Sequence, residues 1–433
     1  MGTRNRLMEY FRDIRGLLLF GLLLLSGIGG CYENQQVAQC EDNDECLSGL
    51  CVNGKCVDSD NQSSDNDSEN DSESETITTY SEPMTGVDIL FVVDSAPSML
   101  HEQNKMGSAV RTLLLELTER LIGGLSLDLA SIDARFAVIT PDIGTYVGYD
   151  TVMIFPDPVL GDNCGGDYLG DLALMRTEIS DDYNWDPEYP CPDISPFIED
   201  DLFLALNDNN LYQEFRDAMT CMMPTGLHGC SIRQPLSAVD NAFAYSDQSQ
   251  FLRSEALTVI IVVSDAEECS IKNDDWFNVV SNSGGVPEAC VASNDSLHSA
   301  TQLYELILSA KTETTGVEAE GSVMFAAIVG VPNTPDCQGR GDTLDNCENV
   351  ELPGGGTMGE PFVGGDTAPP TVAYACEEWS GDGEALVQAY PGMRYVQIAR
   401  EFGKLGYITS VCSESWNFAM SEIADIIAAC MDK

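Results

Sequence analysis

The chain has 433 residues, and its 71 acidic side chains against 20 basic ones give a formal net charge of -51. That excess repels nucleic acid and anionic lipid headgroups, which argues against both as direct partners and leaves cations, basic surfaces and other proteins. Length and ordinary apolar content suit two or three domains with a sizeable core. The three histidines, His101, His228 and His298, are scattered, so a zinc site of the usual kind is not expected.

At the N-terminus Arg4, Arg6, Arg12 and Arg15 precede an apolar run from Leu17 to Leu25 that is too short to span a bilayer. Small residues follow up to Cys31. Ile28, Gly29, Gly30 and Cys31 resemble a bacterial lipobox, which implies cleavage after residue 30 and a lipid on Cys31. Ordinary secretion with Cys31 in a disulfide is the alternative. Tyr32, rather than Asp, follows the cysteine, and the resemblance then favours an outer-membrane anchor facing either the periplasm or the cell surface. Sixteen cysteines in an exported chain read as disulfides.

Residues 31–57 contain Cys40, Cys46, Cys51 and Cys56 among Gly, Asn and Asp turn formers, with too few apolar residues for a core of their own. Two internal disulfides are expected, in any of three pairings. The pattern resembles small cysteine-rich modules of myxobacterial surface proteins, where it serves binding or acts as a spacer. Residues 58–83 are almost wholly Ser, Asp, Asn, Glu and Thr, and their like charges predict an extended tether.

From residue 84 to 433 strand and helix patterns alternate, which predicts one α/β domain with a doubly wound, mostly parallel sheet. Ile89 to Val93 is a β-branched and aromatic run that reads as a strand buried on both faces, and it stops at Asp94. A helix follows, with Val110, Leu113, Leu114, Leu117 and Leu121 on one stripe. Arg135 to Thr140 is a second buried strand, and Val152 to Phe155 reads as a short edge strand. Pro156 to Pro196 is an acidic insertion in which Cys164 and Cys191 are the expected staple. Helical patterns run from Ile198 to Met222 and from Pro235 to Tyr245. Leu257 to Ser264 is the most hydrophobic strand and ends in Asp265. A helix over Asn294 to Ser309, a strand over Ser322 to Gly330, a glycine-rich loop region from Pro332 to Pro391, a helix over Arg394 to Phe402, a strand over Tyr407 to Val411 and a last helix through Met420, Ile423, Ile426 and Ile427 complete the pattern. Closeness in sequence pairs Cys221 with Cys230, Cys269 with Cys290, and Cys337 with Cys347. Cys376 then pairs with Cys412, and Cys430 is left over.

The stretch Asp94-Ser95-Ala96-Pro97-Ser98 after the first strand, together with Ser264-Asp265-Ala266 after the fourth, resembles the metal loops of von Willebrand factor type A domains. The resemblance covers the chain discontinuously from about Val87 to about Cys430. It implies a six-stranded sheet in the order 3-2-1-4-5-6 with one antiparallel edge. It also implies a divalent cation held by motif hydroxyls and acids, with one coordination position left for a partner's carboxylate. Asp94, Ser98 and Asp265 match the family positions. Ala96 stands where a direct serine ligand belongs, and the second-loop threonine has no clear counterpart; Ser231 is the nearest hydroxyl. Losing a direct oxygen leaves a weakly bound Mg2+, or Mn2+ or Ca2+, as the expected cofactor.

Ser98, His101 and Asp94 lie close in sequence, but no nucleophile elbow surrounds the serine, and triads are defined in space. With the cysteines oxidised as well, no enzyme is expected. The function expected is an envelope-tethered binding or adhesion lipoprotein with a protein ligand, touching the membrane through its lipid alone. A structural envelope protein with a vestigial metal site is the alternative.

Overall fold

The computed structural model describes residues 49–52, 55–58, 84–122, 133–144, 170–180, 191–200, 202–205, 212–245, 248–273, 275–283, 285–292, 295–363, 371–379 and 386–431. The chain divides into two units, residues 1–74 and 75–433. In the first, β1 (Gly49–Val52) and β2 (Lys55–Asp58) form an antiparallel hairpin in which Cys51 lies opposite Cys56. Cys31, Cys40, Cys46, Cys164 and the strand expected at Val152 to Phe155 fall outside the described residues, as does most of the tether.

The second unit is a mixed α/β fold of Rossmann-like type. In chain order its larger elements are β3 (Gly86–Val93), α1 (Leu100–Ile122), β4 (Asp133–Ile139), β5 (Ile198–Glu199), β6 (Phe203–Ala205), α2 (Tyr212–Met222), α3 (Pro235–Ala244) and β7 (Ala256–Val263). There follow α4 (Asp275–Ser283), α5 (Val286–Ala292), α6 (Ala300–Thr315), β8 (Val323–Val329), β9 (Gly339–Arg340), the hairpin strands β10 (Phe362–Val363) and β11 (Thr371–Val372), and the hairpin strands β12 (Cys376–Trp379) and β13 (Leu386–Ala389). The chain closes with α7 (Met393–Glu401), β14 (Gly406–Ser410) and α8 (Asn417–Met431). Among the described residues no helix is long and apolar enough to cross a membrane.

The central sheet has eight strands in the order β5-β6-β4-β3-β7-β8-β14-β9. Its five inner strands, β4 to β14, are parallel, and six of the eight reproduce the order 3-2-1-4-5-6. Antiparallel strands close both edges rather than one: β6 pairs with β4, and the two-residue β9 pairs with β14. Every residue of β3, β7 and β8 is buried. Burial of both faces requires helices on both sides, and the helices fall into two packed groups. One has α1 between α2 and α8, the other α6 between α3 and α7.

The helix expected over Ile198 to Met222 begins only at Tyr212. Phe203 to Ala205 is drawn into the sheet because Phe136 and Arg135 of β4 offer unpaired ladder positions, and the chain turns back through Asp200 with a positive φ of 54°. That turn also corrects the disulfide scheme. Cys191 bonds to Cys221, with Cα atoms 5.9 Å apart, so neither Cys164 with Cys191 nor Cys221 with Cys230 forms. The β5–β6 reversal carries Cys191 back to the end of α2, a closeness in space that sequence distance hides. Cys269–Cys290, Cys337–Cys347 and Cys376–Cys412 form as expected. Cys430 is not left over: it and Cys230 are disulfide-bonded as well.

The amino edge of the sheet is closed by buried charge. Asp88 of β3 accepts from Arg253 Nε at 2.9 Å and Nη2 at 2.6 Å and from the Arg253 amide at 3.1 Å, and Arg253 also pairs with Asp133. Lys311 of α6 reaches the same end of the sheet, donating to the carbonyls of Ala256 at 2.7 Å and Ser322 at 2.9 Å. Burial pushes Asp88 up to about 6 despite the arginine, which works in the opposite direction. The opposite, carboxyl edge is left for the loops.

Candidate functional site

The carboxyl edge of a parallel sheet gathers ligands where the crossovers diverge, because the loops there splay apart. In this sheet that point lies between β3 and β7, whose chains continue to opposite sides of the sheet. Asp94 follows β3 directly, and Ser264 and Asp265 follow β7, so the ladder places two acids across one crevice. The Asp94 amide bonds the Val263 carbonyl at 2.9 Å and fixes their register.

Each side chain here is held by the turn that carries it. Asp94 Oδ1 accepts from the Ala96 amide at 2.9 Å, closing the turn into the 3-10 segment Pro97–Met99 that starts α1. Asp94 Oδ2 accepts from the Ser264 hydroxyl at 2.7 Å. Gln103, one turn into α1, donates to the Asp94 carbonyl at 2.8 Å and to the Gly226 carbonyl at 2.8 Å, and accepts from the Thr225 amide at 3.2 Å. On the far side Gln234 donates to the Gly144 carbonyl at 3.2 Å and accepts from the Ile271 amide at 3.0 Å. These two buried amides tie four loops into one rigid rim. The Gly229 amide bonds the Ser95 carbonyl at 2.8 Å, and a Cβ at Gly229 would collide with the Ser95 hydroxyl, so this approach requires glycine.

The three residues marked by the sequence, Asp94, Ser98 and Asp265, do meet, and they meet around a residue the sequence did not mark. Arg233, in the loop that opens α3, donates from Nε to Asp94 Oδ2 at 3.1 Å and from Nη2 to Ser98 Oγ at 3.0 Å and to Asp265 Oδ1 at 3.4 Å. Its Nη1 donates to the Ser231 carbonyl at 2.9 Å, so Ser231 meets this centre through its backbone. Its carbonyl accepts from the Cys269 amide at 2.9 Å, which anchors the loop against the Cys269–Cys290 disulfide. Burial works against the guanidinium charge, but Asp94 and Asp265 outweigh it and hold the group above its ordinary range. Burial, with Asp94 adding to it, pushes Asp265 up to about 6 although Arg233 pulls the other way.

A divalent ion held by Asp94, Ser98 and Asp265 would sit where the guanidinium sits. The buried Ala96 methyl supplies no oxygen, and the acids' hydrogen bonds already go to Arg233, Ser264 and the Ala96 amide. With Arg233 in place these residues do not fit a hexacoordinate oxygen-bound cation. The same contacts bear on the hydrolase arrangement: Ser98 and Asp94 both engage Arg233, and His101 bonds neither.

Two further features surround this centre. Glu102, in the first turn of α1, is fully buried with no hydrogen-bond partner at either carboxylate oxygen. Burial, reinforced by Asp265, pushes it up to about 7. Beside Ser95 a polar cleft of about 260 Å³ opens between the rim loops, lined by Asp142, Asp171, Arg176, Glu178 and His228 among others. The Ser95 hydroxyl borders it, buried and without a hydrogen-bond partner.

Below Asp265, the adjacent acids Glu267 and Glu268 bind the start of α7. Glu267 accepts from the Met393 amide at 3.0 Å and the Arg394 amide at 3.2 Å, and Glu268 accepts from Arg394 Nε at 3.2 Å and Nη2 at 3.1 Å. Burial pushes Glu267 up to about 8, against the pull of Arg394 and the amides.

No protein-family model matches the sequence, and no curated protein matches it either. Among solved structures, the pilus adhesin SpaC from Lactobacillus rhamnosus GG in its open conformation superposes with a TM-score of 0.26 at 11% identity, over 66% of this chain and 32% of that one. The pilus adhesin RrgA from Streptococcus pneumoniae superposes with a TM-score of 0.21 at 13% identity, over 75% of this chain and 38% of that one. The chain thus spans about a third of the length of each, and superpositions this loose carry no residue roles from one protein to the other.

Proposed function

We propose that this chain is an exported binding protein of the von Willebrand factor type A kind, tethered to the cell envelope by a lipid on Cys31, whose carboxyl-edge rim is the partner-binding face. The observation that carries the reading is the convergence of Asp94, Ser98, Arg233 and Asp265 at the strand-order switch point, beside a polar cleft. That is where an open α/β sheet binds what it binds. Oxidised cysteines support export. The partner is a protein and the role is adhesion or docking rather than catalysis. The structural-scaffold alternative draws on the same network, since an acid pair neutralised by a buried arginine also serves simply to lock loops together.

The test is photo-crosslinking in intact cells from a benzophenone amino acid placed at Ser98 and, separately, at Leu115, which is exposed on α1. The binding reading predicts one adduct of discrete mass from position 98 and none from 115. Absence of any adduct from several rim positions, with the protein folded and exported, would favour the scaffold.

A further inference from the structure

We infer that the guanidinium of Arg233 is the resident cation of the Asp94–Ser98–Asp265 site and takes the place that the family resemblance gives to a divalent metal. Four of the five guanidinium N–H groups are spent on Asp94, Ser98, Asp265 and the Ser231 carbonyl. The fork reaches all three expected ligand residues at once, a geometry a planar cation with fixed donors provides and a lysine ammonium does not.

The ligand losses and the arginine explain each other. A metal needs the hydroxyl that Ala96 lacks, whereas a guanidinium needs acceptors, and the crevice offers two carboxylates and a hydroxyl. The buried methyl of Ala96 leaves room without presenting a donor that would compete with Arg233. Withdrawal of the arginine is opposed from behind, because its carbonyl is bonded to the Cys269 amide and the next residue, Gln234, is stitched to two neighbouring loops. The Arg233 side chain is only 12% exposed, so it is part of the rim's interior rather than a surface residue folded over an open site.

The consequence for function rests on the reading of the rim as a binding face. A metal in this crevice would offer a vacant coordination position to a partner's carboxylate. A guanidinium with one N–H left does not, so partner binding at this rim is independent of Mg2+, Ca2+ and chelators. The ion chemistry itself is tested without any partner, so its failure and the failure of the binding reading are distinguishable.

The experiment is titration of the full chain with Mn2+ by calorimetry, alongside melting curves in EDTA and in Mn2+. The wild type is expected to show no site-specific heat and the same melting temperature in both. Ala96→Ser is expected to behave identically, because the restored hydroxyl still faces the guanidinium. Arg233→Ala is expected to melt several degrees lower in EDTA and to recover at least part of that loss in Mn2+, with one-to-one binding that Ala96→Ser tightens at least tenfold when added to it. Mn2+ binding by the wild type that Asp265→Asn abolishes would overturn the inference, as would a folded Arg233→Ala protein that gains no metal response. If Arg233→Ala does not fold, the wild-type and Ala96→Ser titrations decide: metal binding by either refutes the substitution, and silence in both upholds it.

Discussion

Replacing Glu102 by glutamine should stabilise this protein above about pH 4.5, with the gain reaching its full size near and above pH 7. Glu102 is fully buried, neither oxygen has a hydrogen-bond partner, and burial with Asp265 nearby raises it from the ordinary 4.5 to about 7. Between those two values the folded chain keeps a proton that the unfolded chain has released. Every rise in pH across that window therefore favours unfolding. The contribution of the protonated acid is fully present below 4.5 and is lost as the pH climbs through about 7. At about 1.4 kcal/mol for each tenfold change in protonation, the ionised side chain costs the fold about 3 kcal/mol above neutrality. Glutamine is the neutral isostere and carries no such penalty. Urea unfolding followed through the buried Trp276 and Trp416, with disulfides intact, should show Glu102→Gln more stable than wild type by about 3 kcal/mol at pH 8 and equal to it at pH 4. A gain of the same size at both pH values, or a loss at pH 8, would refute the reasoning, the latter by showing that the ionised carboxylate has a stabilising partner.

At the other end of the sheet, Arg253→Met should cost about 3–5 kcal/mol at pH 7, because it strands the fully buried Asp88 without its pair. The loss should shrink at pH 4.5, where a carboxyl already raised to about 6 takes up a proton, and an undiminished loss in urea unfolding at that pH would contradict this. Non-reducing peptide mass spectrometry should recover Cys191 linked to Cys221, and a map with Cys221 joined to Cys230 would contradict the β5–β6 reversal. Growth with an alkynyl fatty acid should label the wild-type protein and leave Cys31→Ser unlabelled; equal labelling of the two would remove the proposed anchor.

The long strands were legible because their chemistry admits one reading. A short, largely β-branched run such as Ala256–Val263 reads as a strand covered on both faces, and the alternation of such runs with helical patterns implies the parallel, doubly wound sheet. The short edges were not legible. Phe203, Leu204 and Ala205 suit a helix face as well as a strand, and the ladder positions that Arg135 and Phe136 leave open decide the matter. Local disulfides such as Cys337–Cys347 follow from loop length, whereas Cys191–Cys221 follows from a chain reversal with no apolar period of its own. At the carboxyl edge, Asp94, Ser98 and Asp265 are legible as neighbours because they follow the ends of two adjacent buried strands. Arg233 is not, because the oxygen ligands of a divalent cation point to the hydroxyl of Ser231, two residues away, which meets the centre only through its carbonyl. A signal was present: a basic residue in a chain with only 20 of them, placed where a loop enters a proline-started helix at the carboxyl edge. Glu102 gave none, since an acid in the first turn of a helix is ordinary on a surface, and its burial depends on packing that a single sequence does not display.

Whether Arg233 or a metal ion occupies the crevice is read most directly by anomalous diffraction at the manganese edge from crystals of the wild-type protein soaked in Mn2+. No anomalous peak is expected among Asp94, Ser98 and Asp265, and continuous density is expected for the Arg233 guanidinium at hydrogen-bond distance from all three. A manganese peak at that point, with Arg233 turned away from it, would show that the site's cation is a metal and not the guanidinium.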